Sequence, residues 1–148
     1  MPAVSVLLPC FNAADTLDEA LTSLEAQTYT DYEIIAVDDG SQDDTLQRLR
    51  AWQEREPRLH LLSQPHQGII AALTAGLAAC TAPLVARMDA DDRCHPDRLA
   101  RQAAYLQAHP EIAVLGCRVE AFPAETVGEG LRLYLDWQNS LLDDADIR

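Results

Sequence analysis

The residues best equipped for chemistry fall in three short turns: Pro9-Cys10-Phe11-Asn12, Asp38-Asp39-Gly40-Ser41 and Asp89-Ala90-Asp91-Asp92. The third sets three aspartates within four residues, an arrangement that like-charge repulsion opposes unless a cation is present. Asp89 and Asp91, two apart on extended chain, can point to one side, and their hard oxygens suit Mg²⁺ or Mn²⁺ better than zinc. The competing reading is that these acids cap a helix beginning near Pro96. A calcium-binding EF-hand is excluded, because a loop started at Asp89 would put Arg93 at the fifth position and Cys94 where glycine is required.

Asp38 and Asp39 carry two readings. A carboxylate only accepts hydrogen bonds, so a buried one selects a base with a ring N–H, which means uracil, thymine or guanine. Equally, an acid after a strand caps the next helix or tightens a turn, and Gly40 and Ser41 support that role. The first turn contains neither GxGxxG nor GxxxxGK, so a dinucleotide grip and a phosphate-binding lysine loop are both absent, and a metal-bridged diphosphate is the natural anion left. His95, beside Cys94, lacks the second Cys/His pair of a zinc site. His60 and His109 read as surface or helix-end residues. His66, within Gln64-Pro65-His66-Gln67-Gly68, is expected to approach the same crevice as the three turns. Trp52 and Trp137 are expected to pack on amphipathic helices.

Apolar stretches over 4–8, 33–37, 59–62, 84–88 and 112–117 read as strands, and segments of helical period over 17–27, 45–56, 69–80 and 96–109 as helices. Thr16 and Glu19 can form a capping box, Pro57 stops the second helix, and Pro110 ends the fourth. This alternation predicts an α/β fold, a Rossmann-like, mostly parallel sheet with helices on both faces. In such sheets the strand-to-helix turns meet at the carboxyl edge, where these folds bind ligands. After Arg118 the alternation stops, with a loop expected over 122–130 and an amphipathic helix over 131–142. We therefore expect one domain over 1–117 and, over 118–148, a partial continuation of a longer protein.

Of the 148 residues, 48% are hydrophobic, enough for one full core. Acidic residues outnumber basic ones 24 to 11, a net charge of -13, which argues against a surface that neutralises nucleic-acid phosphates directly. Every basic residue is arginine, so lysine Schiff-base chemistry is excluded. Cys10, Cys80, Cys94 and Cys117 show no CxxC spacing, which points to a reduced, cytoplasmic compartment. No run of about eighteen apolar residues suggests a membrane span, and no basic start suggests a secretion signal.

Taken together, the segment from Val4 to Asn12, Gln27-Thr28-Tyr29, the segment from Glu33 to Ser41, and Ala86-Arg87-Met88-Asp89-Ala90-Asp91-Asp92 resemble glycosyltransferase family 2, which has the GT-A fold. The resemblance spans about residues 3–117. It implies an inverting transferase that takes a sugar from a UDP-, GDP- or TDP-linked donor to a saccharide or lipid-linked acceptor, in bacterial surface polysaccharide assembly. It assigns nucleotide contacts to Pro9, Phe11, Asp38, Asp39, Gly68 and Asp89, with Asp39 accepting from the base. Asp89 and Asp91 match the DxD motif and would hold Mn²⁺ or Mg²⁺, with Asp92 in support. The location implied is cytoplasmic, peripheral to the inner face of the membrane. Two departures stand out: His66 replaces the asparagine of an Asn-x-Gly turn, and Leu73-Thr74 replaces an Arg-Asn or Leu-Asn pair. The family's catalytic base follows the fifth strand in a Glu-Asp context. Glu120, Glu125, Asp136, Asp143 and Asp144 all lack that context, so no base is assigned. A non-catalytic nucleotide-binding or interaction module is the alternative reading.

Overall fold

The computed structural model describes residues 1–143, which divide into two compact units, Met1–His109 and a second beginning at Pro110. In the first, strands β1 (Val4–Cys10), β2 (Tyr32–Asp38), β3 (Leu59–Ser63) and β4 (Leu84–Arg87) alternate with helices α1 (Leu17–Glu25), α2 (Thr45–Arg55), α3 (Ile69–Ala79) and α4 (Arg98–Ala108). The sheet has the order β3-β2-β1-β4 with every pairing parallel, as the alternation predicts. Its register sets Cys10 beside Asp38 and Asp38 beside Ser63, so the turns leaving β1, β2 and β3 start level with one another.

β1 and β2 are buried at every position, as central strands covered on both faces must be. Strand alternation sends Val6, Leu8, Ile34 and Ala36 into a core closed by Leu17, Leu21 and Leu24 of α1, Leu49 and Trp52 of α2, and Leu99 of α4. Leu7, Ile35 and Val37 face the other way, onto Ala72 of α3. α3 lies close enough that a Cβ at Gly76 would come within 2.2 Å of Leu7 Cδ1 and 2.8 Å of Val37 Cγ2, which explains its small residues.

One acid sits inside this apolar pattern. Glu33 Oε1 accepts from Ser5 Oγ at 2.5 Å and from the Thr81 amide and hydroxyl at 2.8 and 2.9 Å, joining β1, β2 and the entry to β4. Burial pushes its pKa up, but these donors outweigh it and hold the group below the ordinary carboxylate value.

Two local expectations are corrected. Thr16 does precede α1, yet its side chain caps nothing, and Glu19 pairs with Arg93 instead of closing a capping box. The apolar run Ile112–Cys117 forms no strand and belongs to the second unit, where Val114 is 88% exposed. Apolar character alone does not make a strand, since β-propensity decides little where side chains stay exposed, as Val114 does. The second unit has a 3₁₀ turn at Ala124–Thr126 and helix α5 (Glu129–Ser140), on which Asn139 brackets Val119, accepting from its amide and donating to its carbonyl, each at 2.8 Å. No helix among the described residues is long and apolar enough to cross a membrane. Asp144 lies outside the described residues.

Candidate functional site

The turns after β1 and β2 are stitched to each other. The Asn12 amide donates to Ser41 Oγ at 3.0 Å, and Asn12 Oδ1 accepts from the Gln42 amide at 2.8 Å. The Ala13 amide donates to Thr45 Oγ1 at 2.7 Å and the Ala14 amide to Asp43 Oδ2 at 3.1 Å. Asn12 has φ of +49°, the left-handed region that asparagine tolerates better than most residues. These bonds aim Phe11 outward, with 44% of its surface exposed. Cys10, just before it, is no nucleophile: burial, aided by the charge of Asp38, pushes its pKa up to about 12.

Asp38 and Asp39 divide their labour. Asp38 is buried and accepts from the Ser41 amide and Ser63 Oγ, both at 3.4 Å, while its own carbonyl accepts from the Gln64 amide. Its side chain thus braces the turn. Asp39 is buried as well, and its carboxylate faces the 64–68 loop. Oδ1 accepts from Gln64 Nε2 at 2.6 Å and the Gln67 amide at 3.0 Å. Oδ2 accepts from the Gly68 amide at 2.8 Å and stands 2.8 Å from His66 Nδ1. Burial raises the Asp39 pKa, but the three hydrogen bonds and the nearby imidazole outweigh it and hold the carboxyl below its ordinary value. The loop can approach because residue 40 is glycine: φ there is +71°, and a Cβ would fall 2.5 Å from the His66 amide nitrogen.

The third turn is anchored from α1. The Ser23 hydroxyl accepts from the Cys94 amide at 2.9 Å. Buried Gln27 donates to the His95 carbonyl at 2.8 Å and accepts from the Leu99 amide at 3.1 Å, so its side chain caps α4 in place of the aspartates. Asp92 instead closes the Asp89–Asp92 turn through its amide, and lost solvation, then the charges of Asp91 and Asp89, raise its pKa. Arg87 grips Asp89 with Nε and Nη2, both at 3.1 Å, whereas Asp91 is exposed.

A cleft of about 500 Å³ opens at this edge, lined among others by Pro9, Phe11, Asn12, Ile69, Asp89 and Asp91. The structure thus brings four of the expected residues, Pro9, Phe11, Asp89 and Asp91, to one cavity. Asp38, Asp39 and Gly68 do not line it. Asp39 is linked to it through His66, whose ring stacks on Phe11 with centroids 4.1 Å apart and planes at 24°. Among the described residues no three Cys, His, Asp or Glu side chains converge as a self-sufficient metal cage. The donor set fits Mg²⁺ or Mn²⁺ nonetheless, since such ions use one or two carboxylates and complete their shell with water and substrate phosphates. Sequence reasoning missed the roles of Gln27, Thr45, Gln64 and Arg87. Each acts across tens of residues or by the fold of its turn, and only the Arg87-x-Asp89 spacing was a local signal.

A parallel α/β sheet with acidic and aromatic turns gathered at its carboxyl edge is an open α/β fold of the kind that binds ligands in the crevice at that edge. The chain belongs to Glycosyl transferase family 2, whose profile matches residues 5–145. It is 36% identical over 121 residues to the amylovoran biosynthesis glycosyltransferase AmsE of Erwinia amylovora, covering 80% of this chain and 46% of that protein. Among solved structures it is similar to the mannosyltransferase PcManGT of Pyrobaculum calidifontis in complex with GDP-Man and Mn²⁺, with a TM-score of 0.74 and 31% identity over 81% of this chain and 36% of that one. It is also similar to S. aureus TarS in complex with UDP-GlcNAc, with a TM-score of 0.69 and 26% identity over 74% of this chain and 32% of that one. The fold is therefore GT-A, and the chain spans less than half the length of each of these proteins.

Proposed function

We propose that this chain forms the donor-binding part of an inverting glycosyltransferase that takes a sugar from a UDP-, TDP- or GDP-linked donor to a saccharide or lipid-linked acceptor. Its main support is the convergence of Phe11, Asp89 and Asp91 on one cleft at the carboxyl edge, with Asp39 joined to that cleft through the ring on Phe11. Pro9 and Phe11 line the nucleoside, Asp39 accepts from a ring N–H of the base, and the Gly68 amide holds the Asp39 carboxylate in place. Asp38 supports the nucleoside site through the turn it braces.

Asp91, with Asp89, holds the divalent ion. When bound, Mn²⁺ or Mg²⁺ supplies positive charge against the diphosphate as the sugar–phosphate bond breaks. Asp89 must exchange part of its pairing with Arg87 to take this role. The acceptor oxygen attacks the anomeric carbon from the face opposite the diphosphate, and its proton passes to a base that we assign to no residue of this chain. The mannosyltransferase neighbour with GDP-Man and Mn²⁺ and TarS with UDP-GlcNAc support a nucleotide-sugar ligand. AmsE, by its name, supports polysaccharide assembly as the setting. None of the four cysteines forms a disulfide, which suits cytoplasmic conditions.

Thermal denaturation tests this reading with UDP, TDP, GDP and CMP, each with and without Mn²⁺. A ligand at a hundred times its Kd stabilises by about 2.7 kcal/mol, a shift of several degrees. Stabilisation by at least one base with a ring N–H, larger with Mn²⁺ and larger than that of CMP, is expected. An equal response to CMP, or none to any nucleotide, would contradict it.

A further inference from the structure

The Asp39 carboxylate offers about four acceptor positions; hydrogen bonds fill three and an imidazole covers the fourth. Oδ1 accepts from Gln64 Nε2 and the Gln67 amide, and Oδ2 accepts from the Gly68 amide, with His66 Nδ1 2.8 Å away. Nδ1 itself hydrogen-bonds to the Asp39 carbonyl oxygen at 3.1 Å, so the ring proton sits on that nitrogen. The imidazole meanwhile stacks on Phe11. A flat ring on Phe11 with a ring nitrogen set against the Asp39 carboxylate occupies the two positions that the proposed function gives the nucleobase.

We infer that His66 is an internal stand-in for the base, and that donor binding displaces its ring to leave a single acceptor position that reads a base with one ring N–H, uracil or thymine. This rests on the assignment of Asp39 to the base. The groups around the carboxylate differ in how easily they leave. Gln67 and Gly68 give backbone amides at the entry to α3, and the loop backbone is seated on Gly40 and tied to the Asp38 carbonyl. The His66 side chain is 54% exposed and can swing into solvent by side-chain rotation alone. Its departure frees one position on Oδ2 and none on Oδ1. Guanine presents two adjacent donors, N1–H and the 2-amino group, and needs one position on each oxygen, so one of its donors would stay unpaired. Uracil and thymine present only N3–H and fit.

Calorimetric titration with UDP, TDP and GDP in Mn²⁺ tests this on the whole chain, on His66→Ala and His66→Ser, and on Asp39→Asn. UDP and TDP should bind roughly ten-fold or more tightly than GDP, the scale of one unpaired buried donor. Both His66 variants should tighten UDP binding by roughly 3- to 10-fold, since a competing closed state is removed. GDP binding as tight as UDP, or His66 variants that leave UDP affinity unchanged or weaken it, would overturn the inference. Asp39→Asn separates the two levels: unchanged UDP affinity would remove the base-reading role itself, whereas a loss there beside unaltered His66 variants would remove only the stand-in.

Discussion

Three buried acids on or just after β2 meet different fates. Glu33 is consumed by structure, Asp38 braces a turn, and Asp39 is held ready beside the cleft. Because the folded pKa of Glu33 lies below its ordinary value, its contribution to stability is full above that ordinary value and is lost as pH falls through the folded one. Glu33→Gln should therefore destabilise by about 1–3 kcal/mol near neutrality, with the difference from the parent shrinking in acid, and should leave UDP affinity unchanged. Denaturant unfolding across pH 3 to 7, roughly spanning the carboxylate range, measures both. A constant difference across that range would refute the charge-based account. From the residues alone Asp39 could be proposed to face a base. That its carboxylate already holds three hydrogen bonds with an imidazole beside them could not, because these partners come from a loop whose path only the packed structure fixes.

At the scale of elements, β1 and β2 were legible because their mostly apolar runs have one explanation, burial on both faces. Helices α1 to α4 followed from apolar period and proline stops. The run over 112–117 shows the limit: it is apolar enough for a strand, yet Val114 is largely exposed, and without burial β-propensity decides little. The Gln27-Thr28 pair was legible as a motif but not as a device: Gln27 reaches 72 residues along the chain to cap α4 and hold the turn that follows Asp91. Gln27→Ala should cost about 1–3 kcal/mol through the buried donors and acceptors it strands. It should also weaken the Mn²⁺-dependent part of UDP stabilisation more than the metal-free part, as thermal denaturation would read. Gly40→Ala should cost about 1–3 kcal/mol from its left-handed backbone and should push the 64–68 loop off Asp39, lowering UDP affinity together with stability. Loss of stability with full UDP affinity would show that the loop's seat on Gly40 does not matter to the site.

At the scale of the whole molecule, charge decides how a diphosphate can be held. A chain with 24 acids and 11 arginines repels anions on average, and the acids Asp89 and Asp91 line the cleft. Arg87, two residues before Asp89, is paired with it. The proposed function therefore rests on a divalent cation shared between the protein and the diphosphate. UDP titrated calorimetrically into the protein in Mn²⁺, in EDTA, and into Asp91→Asn in Mn²⁺ tests it most directly. The account predicts that EDTA and the substitution each weaken binding by roughly ten-fold or more, the scale of a lost charge-assisted contact. Equal UDP affinity in Mn²⁺ and in EDTA, or full Mn²⁺ dependence retained by Asp91→Asn, would contradict it.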